Sequence, residues 1–140
     1  MNLAALKFSL RHSEGLELKP YTDTTGHLTI GIGKNLDSGI TEKQAWALLD
    51  LDIETAINEL DRNHPSWVAH DDTRQNVLIE LMFNMGPTRL KLFQKMWAAL
   101  DRADYSTAAD EMMDSLWARQ VGKRAERLSG IMRRGDYAQS

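Results

Sequence analysis

The chain has 140 residues, 42% hydrophobic and 26% charged, with four Trp, seven Met and a formal net charge of −3. That is enough apolar material for one domain, or two small lobes sharing a core, to fold without covalent staples. The absence of cysteine excludes a disulfide framework and a thiolate zinc site, and no stretch approaches the roughly 18 apolar residues of a membrane span.

In chain order, Leu3, Leu6 and Leu10 recur at helical spacing over residues 2–13, and Gly15 ends that first helix. From Leu16 to Gly33 the pattern changes to Pro20, the turn cluster "TDTTG" and an alternation through Leu28, Ile30 and Ile32, which predicts a hairpin or three-stranded sheet. Thr41, with Gln44 three residues on, forms a capping box for a long helix. Its apolar stripe, Ala45, Leu48, Leu49, Ile53, Ala56, Ile57 and Leu60, runs to about Arg62, and "NHPSW" breaks it. Asp71 or Asp72 can cap the next helix, with Val77, Leu78, Leu81, Met82 and Met85, closed by Gly86 and Pro87. Leu90, Phe93, Trp97 and Leu100 mark another. Ser106 can cap a further one carrying Ala109, Met112, Met113 and Leu116, and Ala125, Leu128, Ile131 and Met132 mark a last, stopping near Gly135. The fold class is α+β, a small sheet beside a helical bundle.

Charge is unevenly spread. Residues 1–70 hold ten acids and six bases, a net −4, whereas 71–140 hold ten acids and eleven bases, a net +1. The basic C-terminal region favours an anionic partner or is simply a solvated helix face. The N-terminus has no basic start followed by an unbroken apolar run and a cleavage site, so the expectation is synthesis in the cytoplasm without an export signal.

Chemistry concentrates in "EGLELKPYTDTTGHLTIGIGKN", residues 14–35. Cleaving a glycosidic bond takes two carboxyl groups in different protonation states, one to protonate the leaving oxygen and one to activate water or attack the sugar. Glu14 and Asp23 would lie roughly 30 Å apart on an extended chain, so the turn must fold them back. Glu14, at the C-terminal end of a helix and buried in a cleft, is expected to stay protonated. Asp23, on an exposed turn, is expected to stay ionised, with the Thr29 hydroxyl beside it to hold a water. Two acids near a turn are also ordinary solvated surface. Glu17 is a rival acid, read as strand surface.

The run Glu14-Gly15, Asp23, Gly26 and "TIGIG" resembles the phage-type lysozymes, the glycoside hydrolase family 24 muramidases or endolysins. Their spacing of Glu, Asp and Thr falls here on Glu14, Asp23 and Thr29. The likeness continues through "MFNMG" (82–86) and "LWARQVGKRAERL" (116–128). It implies one lysozyme-like domain over 1–140: a β lobe at about 15–40, a linking helix at about 41–62, and a helical lobe at about 63–140 joined by the N-terminal helix, with a cleft between lobes. The activity it implies is hydrolysis, with inversion, of the β-1,4 bond between N-acetylmuramic acid and N-acetylglucosamine in peptidoglycan, leading to bacterial lysis. Glu14 would be the acid, with Asp23 and Thr29 positioning the water. Phe83 and Asn84 would bind substrate and Arg124 would support Glu14. Lys34 departs from the family, standing where a His is common after "GIG", and the 35–41 linker is short.

The resemblance implies no cofactor. Its partners are peptidoglycan glycan strands, met by a monomer that neither inserts stably in membranes nor binds nucleic acid. It would remain in the host cytoplasm until a holin-type membrane lesion releases it to the periplasm and cell wall. His12, His27, His64 and His70 lack metal-ligand spacing and read as surface or local hydrogen bonding. Trp46, Trp67, Trp97 and Trp117 are read mainly as core, with Trp117 an anchor of the bundle, and Met112 and Met113 also as core. Two alternatives stand beside hydrolysis. A lytic transglycosylase cleaves the same bond but needs no base for water, and an inactive wall-binding module needs no acid pair.

Overall fold

The computed structural model describes residues 1–137. Internal contacts divide the chain into two units, Met1–Leu48 and Leu49–Ser140, with the boundary inside a helix.

In the first unit, α1 (Leu3–Glu14) begins at Asn2, whose side chain accepts from the Ala5 amide, and ends at Gly15, whose N–H returns to the Arg11 carbonyl. Local capping carries this helix. Leu3, Leu6 and Leu10 have the expected helical spacing yet remain exposed. The strands β1 (Glu17–Thr22), β2 (Leu28–Gly31) and β3 (Lys34–Asn35) form an antiparallel sheet in the order β1-β2-β3. Thr29 pairs with Tyr21 on one side and Asn35 on the other. This central position buries it to 3% exposure, making it the one buried residue among those described in this unit. Leu28 and Ile32, in the alternating stretch, are exposed.

The predicted capping box forms. The Thr41 amide donates to Gln44 Oε1 (2.9 Å) and the Gln44 amide to Thr41 Oγ1 (3.1 Å), opening α2 (Glu42–Asn63). The unit boundary falls within α2, and only its later apolar residues, Ala56 and Leu60, are fully buried.

The second unit holds the hydrophobic core. After a 3-10 turn at Pro65–Ala69 come α3 (Asp72–Leu90), α4 (Gln94–Asp101), α5 (Tyr105–Met113), α6 (Leu116–Val121) and α7 (Lys123–Arg134). Leu60, Leu78, Leu81, Leu90, Met96, Leu100, Met112, Leu128, Ile131 and Met132 are almost wholly removed from solvent. Each such side chain contributes about 1.5–3 kcal/mol by burial. Asp71 caps α3 by accepting from Arg74 N. Gly86, at φ 77°, breaks α3 where closure was expected, although a further turn through Pro87 follows.

Several expectations fail. Asp104, not Ser106, caps α5: it accepts from Thr107 N (3.1 Å) and Thr107 Oγ1 (2.7 Å), while Ser106 Oγ accepts from Arg133 (2.7 Å). The helix expected to run through Leu116 stops at Met113, because Ser115 starts α6 by accepting from Ala118 N. Met113 is therefore 39% and Leu116 62% exposed, not core. Of the tryptophans, Trp67 and Trp117 are buried and Trp97 half-buried, but Trp46 is 61% exposed.

Candidate active site

The segment between β1 and β2 closes on itself: Asp23 N donates to His27 O (2.8 Å) and Gly26 N to Asp23 O (3.1 Å). Inside that loop the Asp23 carboxylate is asymmetrically engaged. Its Oδ1 accepts from Thr25 N, Thr25 Oγ1 and His27 N, each at 2.9 Å. These bonds hold Asp23 below the ordinary carboxylate pKa of 3.8. The His27 amide has the largest effect and the Thr25 hydroxyl follows, while slight desolvation opposes them. The same bonds favour the ionised form that its turn position predicts.

The other oxygen, Oδ2, faces Thr29, whose Oγ1 lies 3.5 Å away. That hydroxyl has a nearer acceptor in His27 O at 3.0 Å. With its hydrogen on that nearer carbonyl, the hydroxyl oxygen can itself accept a hydrogen. A water beside Asp23 can donate one hydrogen to each oxygen.

Glu14 is the last residue of α1, and its carboxyl rests against Gly33 in the turn between β2 and β3. A Cβ at Gly33 would lie 2.6 Å from Glu14 Oε2 and 2.9 Å from Cδ. Glu14 is solvent-exposed, in contrast to the burial expected of it. The lack of a side chain at Gly33 leaves room for the acid. Asp23 sits at one end of β2 and Glu14 at the other. The three residue steps of β2 span roughly 10 Å. The rival Glu17 is exposed on β1, as expected.

Phe83, Asn84 and Arg124 belong to the second unit. Phe83 is 50% exposed. It lines a groove of about 350 Å³ with Asp52, Thr55, Glu59, Gly86 and Pro87. Asn84 Oδ1 accepts from Trp117 Nε1 at 2.6 Å, so half of this amide is engaged inside the bundle. Arg124 is exposed on α7. A larger cavity of about 470 Å³, lined by Phe93, Lys95, Glu111 and Leu116 among others, contains none of the expected catalytic or sugar-binding residues.

The family described as phage lysozyme matches residues 11–136. The chain belongs to the phage lysozyme family. As a phage lysozyme it is a glycoside hydrolase, a muramidase, with peptidoglycan as substrate. Its small antiparallel sheet and its helices are the α+β, lysozyme-like composition expected.

Relatives of this phage lysozyme include a probable T4-type lysozyme of Dictyostelium discoideum, 26% identical over 95% of this chain and 96% of that protein. An endolysin of Acyrthosiphon pisum secondary endosymbiont phage 1 is 33% identical over 89% of this chain and 86% of the relative. The pre-baseplate central spike protein Gp5 of Enterobacteria phage T4 is 30% identical over 91% of this chain but only 27% of its own length.

Thr25 was not singled out in the sequence and His27 was read only as surface or local hydrogen bonding, yet both bond the Asp23 carboxylate through their backbone amides. Their signal was present as Asp23-x-Thr25-x-His27, but a turn cluster of that composition has an ordinary explanation in local capping.

Proposed function

We propose that this lysozyme cleaves the β-1,4 bond between N-acetylmuramic acid and N-acetylglucosamine with inversion, and that it lyses bacterial walls as an endolysin. Glu14 protonates the leaving oxygen. Asp23 Oδ2 takes a proton from a water that Thr29 Oγ1 also holds, and the water's free lone pair attacks the anomeric carbon. The carrying observation is the unequal use of the Asp23 oxygens: Oδ1 has three donors at 2.9 Å, while among the described residues Oδ2 has no contact nearer than the Thr29 hydroxyl at 3.5 Å.

Placement of the acids at opposite ends of β2 supports inversion over retention. Inverting pairs stand roughly 6.5–9.5 Å apart to admit water, and retaining pairs about 5–5.5 Å. Phe83 is a sugar-contacting aromatic, Asn84 a sugar ligand through its remaining Nδ2, and Arg124 a supporting cation. The endolysin relative supports a lysis role. In this reading the protein is a monomer held in the host cytoplasm until a membrane lesion made by a partner admits it to the wall.

The test combines turbidity loss on permeabilised cells with product analysis. Wild type should produce reducing muramic ends whose first-formed anomer is α by NMR, and Glu14→Gln should be inactive though folded. Anhydro-muramyl ends would identify a transglycosylase, a β first product would exclude inversion, and an active Glu14→Gln protein would remove Glu14 as the acid.

A further inference from the structure

We propose that Thr25 and His27 are positioning residues for the hydrolytic base, forming a hydrogen-bond relay that reserves one oxygen of Asp23 for water. This inference rests on the reading of Asp23 as base and goes beyond it.

The direction of the relay follows from donor chemistry. An ionised carboxylate only accepts, so the Thr25 hydroxyl, 2.9 Å from Asp23 Oδ1, spends its single hydrogen there. Its oxygen also lies 2.7 Å from His27 Nδ1. With its hydrogen committed, Thr25 Oγ1 can only accept from that nitrogen, so Nδ1 carries a hydrogen. The chain of donation is His27 Nδ1–H to Thr25 Oγ1, then Thr25 Oγ1–H to Asp23 Oδ1. The same two residues also supply their backbone amides to that oxygen. Direct approach of the ring to the carboxylate is longer, 3.9 Å, so the hydroxyl mediates the contact.

Two consequences bear on the reaction. Oδ1 is saturated, which leaves Oδ2 to take the proton from water. The carboxylate is also held against partial rotation, because tilting it out of this plane would strain all three bonds, and a half-turn only exchanges two equivalent oxygens. One oxygen therefore stays toward Thr29, where the attacking water is proposed to sit.

The test is kcat and KM on soluble, uncrosslinked glycan strands for the full-length protein and five variants. Thr25→Val removes the mediating hydroxyl at similar volume, and Thr25→Ser restores it. Asn places an amide N–H near the former Nδ1 position, so His27→Asn retains the donor, whereas His27→Gln offers its amide too far out. Asp23→Asn is measured alongside. Hydrogen bonds to charged groups of this kind are worth a factor of about 10 to 100. Thr25→Val and His27→Gln should lose kcat by that factor with KM within about twofold of wild type, while Thr25→Ser and His27→Asn should keep most of kcat.

An inactive Asp23→Asn together with a Thr25→Val protein of wild-type kcat overturns the relay and leaves the base in place. An active Asp23→Asn overturns the base itself. Equal losses in His27→Asn and His27→Gln assign the effect to ring bulk and overturn the relay. Should Thr25→Val fail to fold, the His27 pair decides, since that side chain is 51% exposed and its replacement leaves no cavity.

Discussion

Glu14 and Gly33 occupy one another's space: the acid's carboxyl fills the position that a side chain at residue 33 would take, with Oε2 2.6 Å from the ideal Cβ. Gly33 also has φ +66°, a left-handed conformation that disfavours any Cβ. Gly33→Ala should therefore do two separable things. It should cost about 1–2 kcal/mol of stability through backbone strain. It should also displace Glu14, and an error near 1 Å in a reacting group can cost about a hundredfold in rate. Gly31→Ala is the control, because Gly31 shares the left-handed conformation at φ +69° with nothing within 4 Å of its Cβ. Thermal melts should show similar losses for both, and wall-lysis rates should collapse only for Gly33→Ala. Equal rates would show that this contact does not place the acid.

The bond between Trp117 Nε1 and Asn84 Oδ1 at 2.6 Å gives Asn84 a structural task as well as any sugar-binding one. Trp117 is 2% exposed, so Asn84→Ala leaves a buried indole N–H unsatisfied at a cost of about 1–3 kcal/mol. A double-mutant cycle with Trp117→Phe should give a coupling above about 0.5 kcal/mol by chemical denaturation. Unchanged stability combined with a raised KM in Asn84→Ala would assign the residue to substrate alone.

Arg74 closes the end of α7. Its Nε donates to Met132 O (2.7 Å) and a terminal nitrogen to Arg133 O (3.0 Å), while the guanidinium stacks 3.6 Å from the Tyr105 ring centre and bonds Asp71 (3.0 Å). Helix carbonyls at a C-terminus have no partners within the helix, and the planar fork supplies two of them at once. Arg74→Lys keeps the charge but not the fork, and should destabilise the protein by about 2 kcal/mol in urea unfolding. A loss under about 0.5 kcal/mol would mean that charge alone suffices.

Stability should fall as the solution becomes acidic. His64 stacks on Trp97 with ring centres 3.7 Å apart, and its Nε2 is buried without a hydrogen-bond partner among the described residues. Burial, reinforced by Lys91 and opposed by Asp101, holds its pKa below the ordinary 6.5. His70 is lowered likewise, first by burial, with Asp71 and Asp101 opposing and Arg74 adding to the effect. Below pH 6.5 the unfolded chain then binds more protons than the folded one, so stability rises with pH. The contribution is complete above 6.5 and is lost as pH falls through the folded values. Melting temperatures between pH 7.5 and 5 should decline, and His64→Phe, which keeps a stacked ring without the proton site, should flatten that decline. An unchanged slope would place the acid sensitivity elsewhere.

Local chemistry along the chain sufficed for much of this molecule. Thr41 and Gln44 cap α2 as their spacing requires, Gly15 and Gly135 end α1 and α7, and Asp71 starts α3, because caps and stops depend on atoms within about four residues. The Glu14, Asp23 and Thr29 spacing likewise pointed to the family that matches residues 11–136. Tertiary structure alone decided which partner each side chain takes. It gave Ser106 to Arg133 and the Asn84 oxygen to Trp117, left Trp46 in solvent, and set Glu14 upon Gly33. Such pairings join residues distant in sequence, and spacing and propensity carry no record of which polar atom another element will bring near.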